Sequence, residues 1–160
     1  MFKAHRESLI AKMRDAVGVF FAAPETIRNR DVHYAYRQES DFFFLTGFEE
    51  PEAVLVVAPH REPGDRVALF LRTRDPAKEV WDGERVGVDR AVERLGVDRA
   101  FAIDDLEKTL PEWLKGARRL YFSLGREPAD DARIIAALKD RKSTRLNSSH
   151  LVISYAVFCL

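Results

Sequence analysis

Ala53 to Arg72, AVLVVAPHREPGDRVALFLR, decides how the rest of the chain reads. Two apolar runs, Ala53–Ala58 and Arg66–Arg72, flank a loop with Pro-Gly-Asp turn chemistry, the pattern of a β-hairpin. The first run has no polar alternation, so it is expected to be buried on both faces. Upstream, Val17–Ala23 is a second continuous apolar run and reads as another buried strand. Residues 5–15, with Leu9, Ile10, Met13 and Ala16 on one side, read as an amphipathic helix. Pro24–Arg30 reads as a loop, and Phe42–Thr46, aromatic and stopped by Gly47, as β-prone. Downstream, Gly83 and Gly87 flank a loop after Val80-Trp81. Asp89–Leu95 follows as a helix stopped by Gly96. Ala100–Ile103 reads as a strand, and Asp104 with Glu107 as a capping box. It opens a helix through Leu106, Leu110, Trp113 and Leu114, with Pro111 inside it as a kink or break. Leu120–Leu124 closes the series as a strand and Asp131–Leu138 as a helix. Strands come first and then alternate with helices. The fold class is therefore α/β, a mixed β-sheet flanked by helices, with antiparallel hairpin pairs and parallel crossovers.

The 160 residues carry 26 Lys and Arg against 26 Asp and Glu, so the basic excess of a nucleic-acid binder is missing. A hydrophobic content of 46% is enough for a core and excludes disorder as a description of the whole. The single cysteine, Cys159, has no partner within the chain for a disulfide. The N-terminal residues contain no apolar signal core, and no apolar run approaches the roughly 20 residues that span a bilayer. The expectation is a soluble, cytoplasmic domain that binds neither nucleic acid nor membrane.

Most catalytic signatures fail. His5, His33 and His60 stand apart, without an HExxH pair. Gly83 and Gly87 do not form a phosphate-cradling loop, and no GxSxG elbow occurs. Asp31, Asp41 and Asp82 could imitate a carboxylate metal cluster, but caps and turns account for them more economically. One segment is unusual. Arg28 to Asp41, RNRDVHYAYRQESD, packs three Arg, two Asp and two Tyr between apolar runs. Such density suits either a buried hydrogen-bond network or a binding edge. Trp81, beside Asp82-Gly83, is open to two readings, a core residue at a strand end or an exposed recognition anchor.

Arg28–Pro59, RNRDVHYAYRQESDFFFLTGFEEPEAVLVVAP, followed by Arg72–Gly87, RTRDPAKEVWDGERVG, resembles the N-terminal domain of Xaa-Pro aminopeptidase, aminopeptidase P. The resemblance covers residues 1–139. It departs at Ala35, where Pro is common, and at Phe44, where Tyr is common. It implies an RNase H-like α/β domain, as in creatinase and prolidase, without RNase H chemistry. It also implies a separate C-terminal pita-bread domain holding two Mn²⁺ ions on Asp, Asp, His, Glu and Glu, all downstream of this chain. The fragment itself then holds no catalytic residue, metal site or cofactor. The N-terminal domain would shape substrate access and mediate homo-oligomerisation, for peptides with Pro at the second position. By the same resemblance, Asp31 approaches the active-site network and Trp81 lines the pocket of a neighbouring subunit. Arg37 is a further substrate-binding candidate, with a structural ion pair as its alternative. A prolidase-type dipeptidase and a free-standing binding module are the competing readings of the whole.

The final residues differ in kind. Asp140–His150, DRKSTRLNSSH, and Ile153–Leu160, ISYAVFCL, resemble the in-frame translation of a common sequencing adapter, with an index at Leu151 and Val152. The expectation is a native domain over residues 1–139. Residues 140–160 would then be a non-native tail that packs poorly against it.

Overall fold

The computed structural model describes the backbone of residues 1–30, 32–143 and 152–154. Helix α1 (Phe2–Met13) leads into strand β1 (Ala16–Phe21), and a small hairpin follows, β2 (Ile27–Asn29) with β3 (Val32–His33). Then come α2 (Ser40–Thr46), β4 (Val54–Val57), β5 (Val67–Leu71), α3 (Pro76–Asp82) and α4 (Gly87–Leu95). Strand β6 (Arg99–Ala102), α5 (Leu106–Leu114), β7 (Arg119–Tyr121), α6 (Pro128–Ser143) and β8 (Val152–Ser154) complete the order. The main sheet runs β6-β5-β4-β1-β7-β8. Strand β4 is antiparallel to both of its neighbours, whereas β5–β6, β1–β7 and β7–β8 are parallel pairs. The fold is therefore the α/β mixed sheet that the pattern specifies.

Both sheet faces are covered, which explains the unbroken apolar runs. Val54 and Val56 of β4 and Ala68 and Phe70 of β5 face α5 and α6, against Leu106, Leu110, Trp113 and Ile134. Leu55, Val57, Leu69 and Leu71 point the other way, onto Leu9, Met13, Phe42, Leu45 and Ala91. The strand period of two thus divides one continuous run between two cores.

Several elements correct the sequence reading. Phe42–Thr46 is helical, not β-prone. The Glu39 carboxylate caps α2 by accepting from the Asp41 and Phe42 amides, and Gly47 ends it at φ 64°. Phe42, Leu45 and Thr46 are buried at helical spacing, whereas Phe43 and Phe44 remain outside. A Cβ on Gly47 would lie 2.3 Å from the Phe2 ring, so only glycine fits there. Trp81 lies in a helix rather than in a loop after a strand. Asp75 caps α3 through the Ala77 amide, and Pro76 occupies the first turn, where its missing N–H costs nothing. The Pro24–Arg30 loop contains β2. Asp104 and Glu107 form no capping box, because a 3-10 turn over Ile103–Asp105 leads directly into α5, and Pro111 is accommodated without ending that helix. Helix α6 begins earlier and continues later than Asp131–Leu138. Within the tail, Val152–Ser154 is not detached but pairs in parallel with β7. A charge-free, β-branched run finds the open edge of that strand. The rest of 144–160 lies outside the described residues.

Arg6 is the one fully buried cation in the core among the described residues. It donates to Leu45 O at 2.7 Å, Leu95 O at 2.9 Å and Gly96 O at 2.6 Å. These are carbonyls at the C-terminal ends of α2 and α4, which lack helical donors and carry partial negative charge. Burial lowers the Arg6 pKa, with Asp98 and Glu7 opposing it. A hydrogen bond from a charged donor contributes about 1.5–3 kcal/mol, and each orphaned buried acceptor costs about 1–3. Arg6→Met should therefore lower the unfolding free energy by about 3–5 kcal/mol in urea titrations. A loss below about 1 kcal/mol would mean that the three carbonyls find other donors.

Candidate functional site

Strand polarity gathers the polar loops at one edge. Strands β1, β5, β6 and β7 point the same way, because β4 is antiparallel to both β1 and β5. The segments leaving β1, β5 and β7 therefore emerge together at the carboxyl edge, where open α/β sheets bind ligands. The first carries residues 22–39, the second α3 with Trp81, and the third Arg126 and Asp130.

The 36–39 segment is held by alternate side chains. Tyr36 donates its hydroxyl to Ala23 O at 3.0 Å, and burial pushes its phenol up to about 12. Gln38 is satisfied at both ends of its amide. Its Oε1 accepts from the Ala23 and Glu39 amides, and its Nε2 donates to Phe48 O and Glu50 O. Between these two half-buried side chains Arg37 is exposed, without an ion-pair or hydrogen-bond partner among the described residues. The structural ion pair considered for Arg37 is thus absent from them. Val32–His33 precedes this segment, whereas Asp31 lies outside the described residues.

Arg37 borders a cleft of about 470 Å³ between the ends of β1 and β7. Phe20, Phe21 and Phe122 supply apolar wall, and Glu39, Asp41, Arg126 and Asp130 supply charge. Glu39 and Arg126 pair across it at 2.7 Å. Burial opposes the Glu39 charge, but Arg126 and the two capping amides outweigh it and hold this carboxyl below its ordinary range. Burial pushes the Asp41 carboxyl up, with Glu39 adding and Arg126 offsetting. Burial pushes Asp130 up to about 6, opposed by Arg133 and reinforced by Glu127 and Asp131.

Trp81 does not line this cleft. It projects from α3 with 88% of its surface exposed, next to Val80 at 79%. The other tryptophan, Trp113, is buried under a stacked Arg61 guanidinium 4.4 Å away. The edge thus carries Arg37 and Trp81 on neighbouring loops rather than in one pocket. Gln38, Glu39 and Asp41 fall within the polar segment singled out in the sequence. Arg126 and Asp130 do not, since nothing local distinguishes them from surface charges.

The family model described as "Aminopeptidase P, N-terminal domain" matches residues 2–121. The Xaa-Pro aminopeptidase of Escherichia coli is 41% identical over 148 residues, spanning 91% of this chain and 34% of that protein. The Haemophilus influenzae Xaa-Pro aminopeptidase is 39% identical over 121 residues, spanning 75% of this chain and 28% of that protein. Among solved structures, Pseudomonas aeruginosa aminopeptidase PepP superposes with a TM-score of 0.85 at 39% identity, covering 95% of this chain and 35% of that one. Escherichia coli aminopeptidase P in complex with substrate gives 0.86 at 38% identity, covering 96% and 36%. The chain spans about a third of the length of these relatives.

The cleft's electrostatics can be read directly. Between pH 3.8 and about 6 the folded chain keeps a proton on Asp130 that the unfolded chain releases. This group's contribution to stability therefore falls as pH rises through that window. A carboxyl ¹³C titration should place the Asp130 midpoint near 6. Asp130→Asn should flatten the stability profile across the same range. A midpoint at the ordinary value of 3.8 would show the carboxylate fully solvated.

Proposed function

The chain belongs to the aminopeptidase P N-terminal domain family, and we propose that it is the substrate-access domain of an Xaa-Pro aminopeptidase whose catalytic domain lies in the part of the protein beyond this chain. The observation that carries this reading is Trp81. An indole left almost wholly in solvent on a capped helix is surplus to the core. It stands at the sheet edge where this fold class presents ligand-contacting loops. A Trp face covers the apolar ring of a substrate proline and loses little rotamer freedom in doing so. On this reading Trp81 acts in the pocket of a neighbouring subunit of a homo-oligomer. Arg37, without an ion-pair partner among the described residues and flanked by the anchored Tyr36 and Gln38, donates to a peptide carbonyl or carboxylate, and Asp31, outside the described residues, is a substrate-binding residue on the resemblance alone. The native domain ends at residue 139 on this reading, and residues 140–160 are foreign to it.

On the same reading, metal chemistry is the work of the catalytic domain. Among the described residues no three His, Cys, Asp or Glu converge on a metal position. Two manganese ions in the catalytic domain would supply activated water for hydrolysis of the amide before proline. What this chain contributes is grip and orientation of the peptide, which lower the barrier by positioning. No described helix is long and apolar enough to cross a membrane, which is compatible with the cytoplasmic location we propose.

Joined to its natural continuation, the protein should release the N-terminal residue from Xaa-Pro peptides, whereas this chain alone should release none. Trp81→Ala in that full-length protein should lower kcat/KM by about ten- to hundredfold, the scale of losing a contact of roughly 1–3 kcal/mol. Melting temperature should barely move, because the removed side chain is solvated. A large fall in melting temperature with unchanged kinetics would return Trp81 to a structural role.

A further inference from the structure

The Arg37 segment and the Trp81 helix leave the sheet from different strands, yet both would have to meet one peptide. Between β1 and β5 stands β4, the one strand among the described residues that enters at the carboxyl edge, so its lead-in lies between the two loops. Glu50 occupies that lead-in and makes contacts to both sides. Its main-chain oxygen accepts from Gln38 Nε2 at 3.0 Å, on the Arg37 side. Its Oε1 accepts from the Val86 amide at 2.8 Å, at the end of the loop that returns from α3. Its Oε2 faces Arg72 Nη2 at 3.7 Å, the first residue past β5. Both side chains are largely buried, at 18% and 15% exposed.

The carboxylate is unevenly used. Oε2 and Arg72 Nε are both shielded from solvent without a hydrogen bond among the described residues. Charge alone relates that pair, so the directional restraint of the side chain falls on the Val86 N–H. Several other polar contacts of the Trp81 loop are local to it. Arg74 pairs with Glu79 inside the α3 region, and Arg90 reaches back from α4 to Glu84 and Arg85 O. These shape the loop without setting its distance from the Arg37 segment.

We propose that Glu50 is a positioning residue that couples the Trp81 loop to the segment presenting Arg37, and so sets how tightly an Xaa-Pro peptide is held. The peptide part of this inference rests on the function proposed above, whereas the coupling itself does not.

Two measurements separate the two. In the 160-residue chain, Glu50→Ala should speed amide exchange at Val86 at least about tenfold, leaving β4 and β5 amides unchanged. Glu50→Gln keeps an acceptor oxygen and should hold Val86 within about threefold of wild type. Unchanged Val86 exchange in the Ala variant would overturn the coupling. So would an equal rise across β4 and β5, because Glu50 would then serve overall stability only. In the full-length protein, Glu50→Ala should raise KM for Xaa-Pro peptides by about tenfold with kcat within about threefold. Combined with Trp81→Ala, it should add nothing further to the KM rise of Trp81→Ala alone. Fully additive losses would overturn a route through Trp81. A full-length protein that cleaves no Xaa-Pro peptide would overturn the functional reading, and the exchange result would still decide the role of Glu50.

Discussion

The Arg6 guanidinium joins three helices at one buried point. Its planar fork reaches Leu45 O, Leu95 O and Gly96 O, which belong to two helices far apart in sequence. A lysine is a point charge on a flexible stem and could not serve all three directions at once. Because these bonds end α2 and α4, they fix where both helices lie on the sheet. The position of α2 carries Glu39 at its N-terminal end and thereby one wall of the cleft. The position of α4 carries Arg85 and Val86 at its start and thereby the return of the Trp81 loop. A group on the first helix thus governs geometry at the opposite end of the sheet, through rigid helices rather than direct contact.

A second constraint is topological. Had β4 run parallel to its neighbours, its lead-in would lie at the other edge, and no residue would stand between the loops after β1 and β5. The single antiparallel strand leaves its two neighbours parallel to each other, so their polar loops exit together. It also inserts Phe48 O and Glu50 O between them as acceptors for Gln38. That side chain uses both ends of its amide, and Arg37 beside it is left facing outward. Tyr36 and Gln38 are half-buried on one side of the segment, and Arg37 between them is exposed on the other.

Some of this was legible in the chain itself and some was not. The runs Ala53–Ala58 and Arg66–Arg72 declared their pairing, since apolar strands flanking turn residues have few alternatives. Phe42–Thr46 misled because three consecutive aromatics match a strand locally, while the deciding groups lie outside the run. The Glu39 carboxylate at its start and Gly47 at its end close a helix around it. Trp81 stands out in the sequence by its polar and glycine neighbours, but its helix depends on Asp75 and Pro76 upstream. Val152–Ser154 belongs to the tail expected to pack poorly, and it forms a strand because β7 offers an open edge.

Sequence alone determined the class of the fold, the buried strands in their order along the chain and the segment Arg28–Asp41 as the place to look for a site. Those properties follow from local periodicity and residue chemistry, which need no knowledge of distant neighbours. Only the tertiary structure decided that Arg6 serves Leu45 and Gly96, that Arg126 faces Glu39, and that Glu50 stands between Gln38 and Val86. Each of these joins residues separated by 36 to 90 positions or lies on a contact between elements, except the short reach from Glu50 to Gln38. Pairings over such spans are set by how the strands are ordered in the sheet, and no local pattern encodes them.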